Sequence, residues 1–237
     1  MTQKILDPIT VMKRHELKYL LDGEKTAYLR RRLEGHMVPD AFGLTSIASL
    51  YYDTPDRRLI RASLEKPPFK EKLRLRSYGL ADEDSPVYLE LKCKAYDTVY
   101  KRRVQSTLQG VRQFFESGVP LGDGGQISRE INAFCSFYDT LSPSCLIIYD
   151  RTAYYEPDGD LRLTIDENPR YRMRDLSLDR SMDGIPLLPE GWTILEIKVQ
   201  DAIPLWLAEI LSTGQIYRGS FSKYGEAYRR EVQKCAV

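Results

Sequence analysis

Residues 70–76 read KEKLRLR, with Lys70, Lys72, Arg74 and Arg76 at every second position and Glu71, Leu73 and Leu75 between them. In an extended strand successive side chains leave opposite faces, so the four cations share one face and the leucines the other. The alternation recurs: Arg14, Glu16 and Lys18 share a face, as do Tyr88, Glu90, Lys92 and Lys94 against Leu89, Leu91 and Cys93. Arg162, Thr164 and Asp166 oppose Leu161, Leu163 and Ile165, and Glu196 and Lys198 oppose Leu195, Ile197 and Val199. Residues 98–105, TVYKRRVQ, add Lys101 and Arg103, or Arg102 in the slipped register. Arg151 follows an apolar run. Like charges directly across a sheet repel, so this bias to Lys and Arg requires an anion. A chain of phosphates fits, because guanidinium forks match phosphate oxygens and ammonium groups add compact charge. Glu16, Glu90, Asp166 and Glu196 are the carboxylates that offset part of the charge.

These residues need a sheet to position them. Besides the segments above, residues 47–54 (IASLYYDT) and 144–155 (SCLIIYDRTAYY) read as strands, giving about eight, mostly adjacent in sequence, which favours antiparallel pairing. Residues 86–96 and 98–105 read as a hairpin around Asp97. Helical periodicity covers residues 23–35, 107–117, 127–141, 203–213 and 221–234. Pro204 suits a first helical turn, and Ser220 or Ser222 suits the cap of the last helix. Helices over the leucine faces, with the sheet curled shut, turn the charged faces into the lining of a tunnel. The expected fold is therefore α+β: an eight-stranded antiparallel β-tunnel, a closed barrel with a charged lumen and helices packed outside. An ordinary sheet with its polar face in water is the competing reading.

Composition narrows the function. An apolar share of 42% supports one core, and the scattered glycines and prolines mark no hinge, so residues 1–237 read as a single domain. With 35 Lys and Arg against 34 Asp and Glu, general adhesion to nucleic acid is not expected. Cys93, Cys135, Cys145 and Cys235 form no C-x-x-C pair, and with His15 and His36 they make no zinc constellation. They read as reduced thiols of a cytoplasmic protein. No signal peptide or membrane-spanning run is visible. There is no G-x-x-x-x-G-K-[ST] loop, and the glycines of DGDGGQ read as a surface turn between helices. His15 falls on the apolar side and reads as packed, Tyr19, Tyr51 and Tyr52 as core or rim aromatics, and Cys93 as outward and inert.

An ordered set of short motifs, Arg14-His15-Glu16-Leu17-Lys18-Tyr19, Tyr51-Tyr52-Asp53-Thr54-Pro55, Lys72-Leu73-Arg74-Leu75-Arg76, Leu89-Glu90-Leu91-Lys92, Leu195-Glu196-Ile197-Lys198 and Ser222-Lys223-Tyr224, resembles the triphosphate tunnel metalloenzymes. The branch it resembles is the VTC-type polyphosphate polymerase domain, over residues 12 to 230. The resemblance implies transfer of the γ-phosphoryl group of ATP to a growing polyphosphate chain, with ADP released and Mg²⁺ or Mn²⁺ bound. It implies that Lys18, Arg74, Arg76 and Lys223 act on the transferring group. Lys72, Lys92, Lys101, Arg103, Arg151, Arg162 and Ser222 would hold the substrate. Glu196 would be the main metal ligand, with Glu16, Glu90 and Asp166 as further candidates. Each has a plainer role: Ser222 as an N-cap, Glu90 and Asp166 as partners of neighbouring cations, and Arg14, Lys70 and Lys94 as strand-end surface residues. Arg14 stands where the hydrolase-like branch favours a first acidic residue, which weakens the case for a second metal; Glu16 leaves triphosphate hydrolysis open. A non-catalytic polyphosphate-binding module is the third reading. No membrane segment or additional sensor domain is recognisable, which leaves a membrane partner open.

Overall fold

The structure, a computed structural model, describes residues 15–65, 67–96, 98–122, 124–138 and 140–235, the side chain of Cys235 excepted. Arg14 and Asp97 lie outside the described residues. Eleven strands are described: β1 (His15–Leu21), β2 (Val38–Pro39), β3 (Thr45–Asp53), β4 (Phe69–Tyr78), β5 (Pro86–Ala95), β6 (Thr98–Thr107), β7 (Ser142–Tyr155), β8 (Arg162–Arg172), β9 (Ile185–Pro186), β10 (Thr193–Val199) and β11 (Arg218–Gly219). Six helices are interleaved: α1 (Gly23–Leu33), α2 (Arg58–Glu65), α3 (Leu108–Ser117), α4 (Gln126–Tyr138), α5 (Leu205–Thr213) and α6 (Lys223–Cys235). The strands form one antiparallel sheet in the order β11-β1-β10-β8-β7-β3-β4-β5-β6, with β2 on β7 and β9 on β8.

The sheet rolls without closing. Lys92 on β5 lies six strands from β1 along the sheet order. A flat sheet would separate them by roughly 29 Å at the usual interstrand spacing. Instead Lys92 Nζ lies 3.9 Å from Glu16 Oε2 on β1. Register shifts at Tyr51/Tyr52 and at Ile148/Asp150 mark irregularities where strands bend. Among the described residues, however, no ladder joins β6 to β1, so the expected closed barrel is corrected to an open, rolled sheet. The outer edge of β1 is instead taken by β11, through Lys18↔Gly219 and Tyr19↔Arg218.

Two apolar clusters cover the convex side. Helices α3 and α4 bring Val111, Phe114, Ile131 and Phe134 onto Leu50, Leu73, Leu75, Leu89 and Leu91. Helices α1 and α5 bring Leu29, Leu33, Leu207 and Ile210 onto Leu163, Ile165, Leu195 and Ile197. The alternation that exports the leucines also turns the charges inward. Arg102 settles the hairpin register: it pairs with Glu130 on α4 at 2.5 Å, leaving Lys101 and Arg103 on the other face. Cys93 also faces outward, its Sγ 3.5 Å from Glu71 Oε1.

The expectation that the helices lie outside holds only in part. Helices α2 and α6 place Ile60, Tyr224 and Ala227 against Ile47, Cys145, Ile147 and Tyr149, on the same sheet face as the charges. The reason lies in β7, where Cys145, Ile147, Tyr149 and Arg151 alternate onto one face and its first part is apolar. That part needs its own cover. Helix α2, which the periodicity did not reveal, is started by the buried Asp53, whose carboxylate accepts from the backbone N–H of Leu59 at 2.8 Å and Ile60 at 3.0 Å. The Tyr224 hydroxyl donates to the same carboxylate at 2.9 Å and shares a 3.0 Å hydrogen bond with Ser144. Asp53 thus joins α2 to α6. His15, read as packed, is exposed because it opens β1 beyond the reach of the covering helices.

Removing the Tyr224 hydroxyl takes one of the two donors from a buried carboxylate oxygen, leaving it the Ile60 N–H, so Tyr224→Phe should lower unfolding free energy by about 1–2 kcal/mol. Urea denaturation checks this, and an unchanged midpoint would show that the contact is not needed to hold α6.

Candidate active site

Lys18 lies at the centre of one side of the inner face. Its ammonium is 2.7 Å from Glu196 Oε1 on the paired strand β10 and 3.1 Å from Glu16 Oε1 on its own strand. Burial alone would favour the neutral amine, but Glu196 and then Glu16 outweigh it and hold the pKa above its ordinary value. Glu196 is in turn held well below the usual carboxylate range: burial opposes ionisation, and Lys18, Lys223 and Arg151 override it.

Beside this group is a second carboxylate. Asp166 on β8 is fully buried and receives Arg151 from β7 through two hydrogen bonds, Nε to Oδ1 at 2.6 Å and Nη2 to Oδ2 at 2.8 Å. Lys223, the first residue of α6, bonds to the same Oδ2. Arg151 also reaches Glu196 Oε2 at 3.7 Å, which links the two carboxylates. The ring of Tyr149 lies under both cations, 4.4 Å from Lys223 Nζ and 5.0 Å from Arg151 Cζ.

Across the lumen, Glu90 on β5 is fully buried and gathers four cations. Arg74 Nε lies 2.8 Å from Oε2, Lys101 Nζ 2.7 Å from Oε1, Arg103 Nε 3.6 Å from Oε1 and Arg76 Nε 3.8 Å from Oε2. Burial opposes its ionisation, but Arg74, Arg76 and Lys101 prevail and lower its pKa to about 2. Arg74 also donates to the Tyr51 hydroxyl at 3.2 Å, Arg76 to that of Tyr149 at 3.4 Å, and Arg103 lies 3.6 Å over the Tyr88 ring.

Toward the hairpin end the carboxylates run out. Lys72 pairs directly with Lys92, and Lys70 with Lys94. Lys72 has no carboxylate within 4 Å among the described residues, and burial first, then Lys92, Lys70 and Lys18, bring its pKa down to about 8 against a rise due to Tyr51. Lys198 on β10 is likewise lowered, chiefly by burial against the pull of Glu196 and Glu16.

The sequence-read residues therefore divide into groups. Lys18, Glu16, Glu196, Asp166, Arg151 and Lys223 form one connected cluster. Arg74, Arg76, Glu90, Lys101 and Arg103 form another, and Lys92 with Lys72 bridges toward the first through Glu16. Arg162 stays outside both: exposed at the start of β8, it lies over the Tyr155 ring at 5.3 Å. Ser222 precedes α6 and its hydroxyl accepts from the Gly225 N–H at 3.2 Å, so it caps the helix that carries Lys223. Sequence reasoning did not assign site roles to Tyr51, Tyr149 or Lys198. The period-two alternation through Tyr149 and Arg151, and through Glu196 and Lys198, is the signal that places them on this face.

A family model for the VTC domain matches residues 13–231. The chain belongs to the VTC domain family. Among curated proteins, it is 25% identical to subunit 4 of the vacuolar transporter chaperone complex of Schizosaccharomyces pombe, over 71% of this chain and 29% of that protein. This VTC domain thus corresponds to under a third of that relative's length. Two solved structures share its fold: a candidate adenylate cyclase from Bacillus halodurans, with TM-score 0.54, 16% identity and coverage of 89% of this chain and 96% of that one, and one from Vibrio parahaemolyticus, with TM-score 0.53, 13% identity and coverage of 92% and 98%.

The position of Lys72 gives the VTC domain a pH signature. Its folded pKa of about 8 lies below the 10.5 of a free lysine, so between those values the unfolded chain binds more protons and this group's contribution to stability rises with pH. For a bound polyanion the sign reverses, because the charge that helps binding is lost through pH 8. Calorimetric titration with tripolyphosphate at pH 7 and pH 9 should show a larger loss of affinity in the wild type than in Lys72→Met. Equal losses would place Lys72 outside the anion path.

Proposed function

We propose that this VTC domain transfers the γ-phosphoryl group of ATP to the terminal phosphate of a polyphosphate chain held in the rolled sheet. The observation that supports this reading is the charge imbalance of an enclosed face, on which Lys18, Lys72, Arg74, Arg76, Lys92, Lys101, Arg103, Arg151, Lys198 and Lys223 outnumber Glu16, Glu90, Asp166 and Glu196. In the transfer, the bond between Pγ and the bridging oxygen of ATP breaks, a terminal polyphosphate oxygen bonds to Pγ, and ADP leaves. The attacking oxygen is already ionised, so no general base is required. Alignment and charge neutralisation are what the reaction needs.

In this reading Lys18, Arg74, Arg76 and Lys223 neutralise the transferring group, and Lys72, Lys92, Lys101, Arg103 and Arg151 hold the phosphates on either side. Arg162 would meet the chain at the rim, and Ser222 contributes by fixing the start of α6. Mg²⁺ or Mn²⁺ suits the donor set, since Glu196 and Glu16 supply hard carboxylate oxygens that already converge on one cation, Lys18 Nζ. Glu90 and Asp166 suit an ion less, because arginines and lysines already enclose them. When bound, such an ion supplies further neutralisation of phosphate oxygens. We further propose that the chain acts as one tunnel unit in the cytoplasm; no helix among the described residues is long and apolar enough to cross a membrane.

Hydrolysis of triphosphate is the second reading, favoured by the accessible Glu16 beside Glu196. Incubation with ATP and Mn²⁺ or Mg²⁺, following ADP, free phosphate and polymer together, separates the two. Polymer with ADP supports transfer, phosphate without polymer supports hydrolysis, and neither product would leave a binding module. Glu196→Gln should lower metal-dependent turnover by about 100-fold or more, and full activity would remove Glu196 from the metal role. Arg74→Ala should weaken triphosphate binding most at low salt, and identical titrations would take that guanidinium out of the site.

A further inference from the structure

Glu90 and Asp166 are alike in a way that neither a metal ligand nor a surface carboxylate would be. Both are fully buried. Both sit at the focus of converging cations: four for Glu90, two from each of its neighbouring strands β4 and β6, and a bidentate arginine plus a helix-borne lysine for Asp166. A carboxylate offers the same oxygen acceptors to these donors as a phosphate does. Arg74, Arg76, Arg103 and Arg151 therefore already have a competitor built into the wall. A polymer that must advance by one phosphate per cycle cannot be held too tightly, because affinity that is equal at every step slows departure from each one.

We propose that Glu90 and Asp166 are resident counter-anions that weaken the tunnel's grip on polyphosphate and so keep the bound chain mobile. The inference rests on the reading of the tunnel as a polyphosphate site. Glu90 is the sharper case, since it touches only cations that the site uses, namely Arg74, Arg76, Lys101 and Arg103. Its negative charge subtracts from the potential any incoming phosphate meets, while its hydrogen bond to Arg74 and its ion pairs with Arg76 and Arg103 keep those guanidinium groups turned into the lumen. Neutralising it without changing its shape keeps part of the second effect and removes the first. The two roles then give opposite signs: a merely structural carboxylate, when lost, loosens binding, whereas a competing one, when lost, tightens it.

The test is tripolyphosphate binding to the full chain by calorimetry and stopped flow, in EDTA so that no metal site contributes, comparing wild type with Glu90→Gln and Asp166→Asn. Glu90→Gln should bind about tenfold more tightly, with the gain in a slower off-rate and a steeper salt dependence, although the ligand-free variant melts at a lower temperature. Asp166→Asn should move in the same direction and serves if Glu90→Gln does not fold. Wild-type binding with unchanged or weaker affinity in the folded variants would overturn the counter-anion role while leaving the tunnel reading intact. Absence of tripolyphosphate binding by wild type and variants alike would overturn both.

Discussion

Every feature of the inner face follows from one electrostatic constraint: a sheet rolled tightly enough to enclose a lumen must keep a surplus of cations near one another in a poorly solvated space. At an effective dielectric constant of about 20, two unit charges 4 Å apart interact by roughly 4 kcal/mol, so an unrelieved cluster of this kind would oppose folding. The carboxylates are placed where relief is greatest. Glu90 meets the crowd from β4 and β6, and Asp166 meets Arg151 and Lys223 where α6 arrives. Where carboxylates are missing, the lysine itself yields, as the lowered pKa of Lys72 indicates. Some repulsion is left over, and the proposed polyphosphate is a species that would remove it.

The apolar part of β7 draws α2 and α6 to the inner face, and α6 also serves the charges there. Lys223 must approach Asp166 from inside the roll, and a strand cannot deliver it because the strands already occupy the wall. Helix α6 enters over the apolar part of β3 and β7, its Tyr224 stacked on Tyr51 at 4.5 Å and hydrogen-bonded to Asp53. That anchor is adjacent in sequence to Lys223, so the hydrophobic seat of the helix and the position of its ammonium are set together. Arg74 is tied into the same unit, since it donates to the Tyr51 hydroxyl.

Much of this was legible because strand alternation converts directly into geometry. The cations of β4 and β5, the carboxylates Glu90, Asp166 and Glu196, and the outward placement of Cys93 all follow from period two. The register of the β5–β6 hairpin did not, since Arg102 and Arg103 are both basic and only the Arg102–Glu130 contact with α4 separates them. Helix α2 was missed because its start is fixed by a side chain five residues before it, Asp53, and because it is only eight residues long. The inward position of α6 was missed because the segment CLIIY is apolar at every position. Such a run is buried on both faces, a signal that implies a cover for the inner side but does not name the element that provides it. Closure was overestimated because alternation fixes which face a residue takes and says nothing about whether the last strand meets the first. Here β11 occupies the edge that closure would have used.

An unclosed roll also has a consequence for chemistry. A barrel sealed by hydrogen bonds fixes its lumen by its strand count and stagger, whereas this one is bridged at its seam by a side-chain contact, Lys92 to Glu16 at 3.9 Å with both groups partly exposed. An exposed ion pair of that length contributes little to stability, so the seam resists opening mainly through the curvature of the sheet and the helices packed behind it. Lys92 and Glu16 also face the lumen, so a phosphate that draws Lys92 away from Glu16 changes the seam and the carboxylate pair around Lys18 together. On the proposed function, substrate charge and the width of the enclosure would thereby be coupled through two side chains, with no hinge in the backbone required.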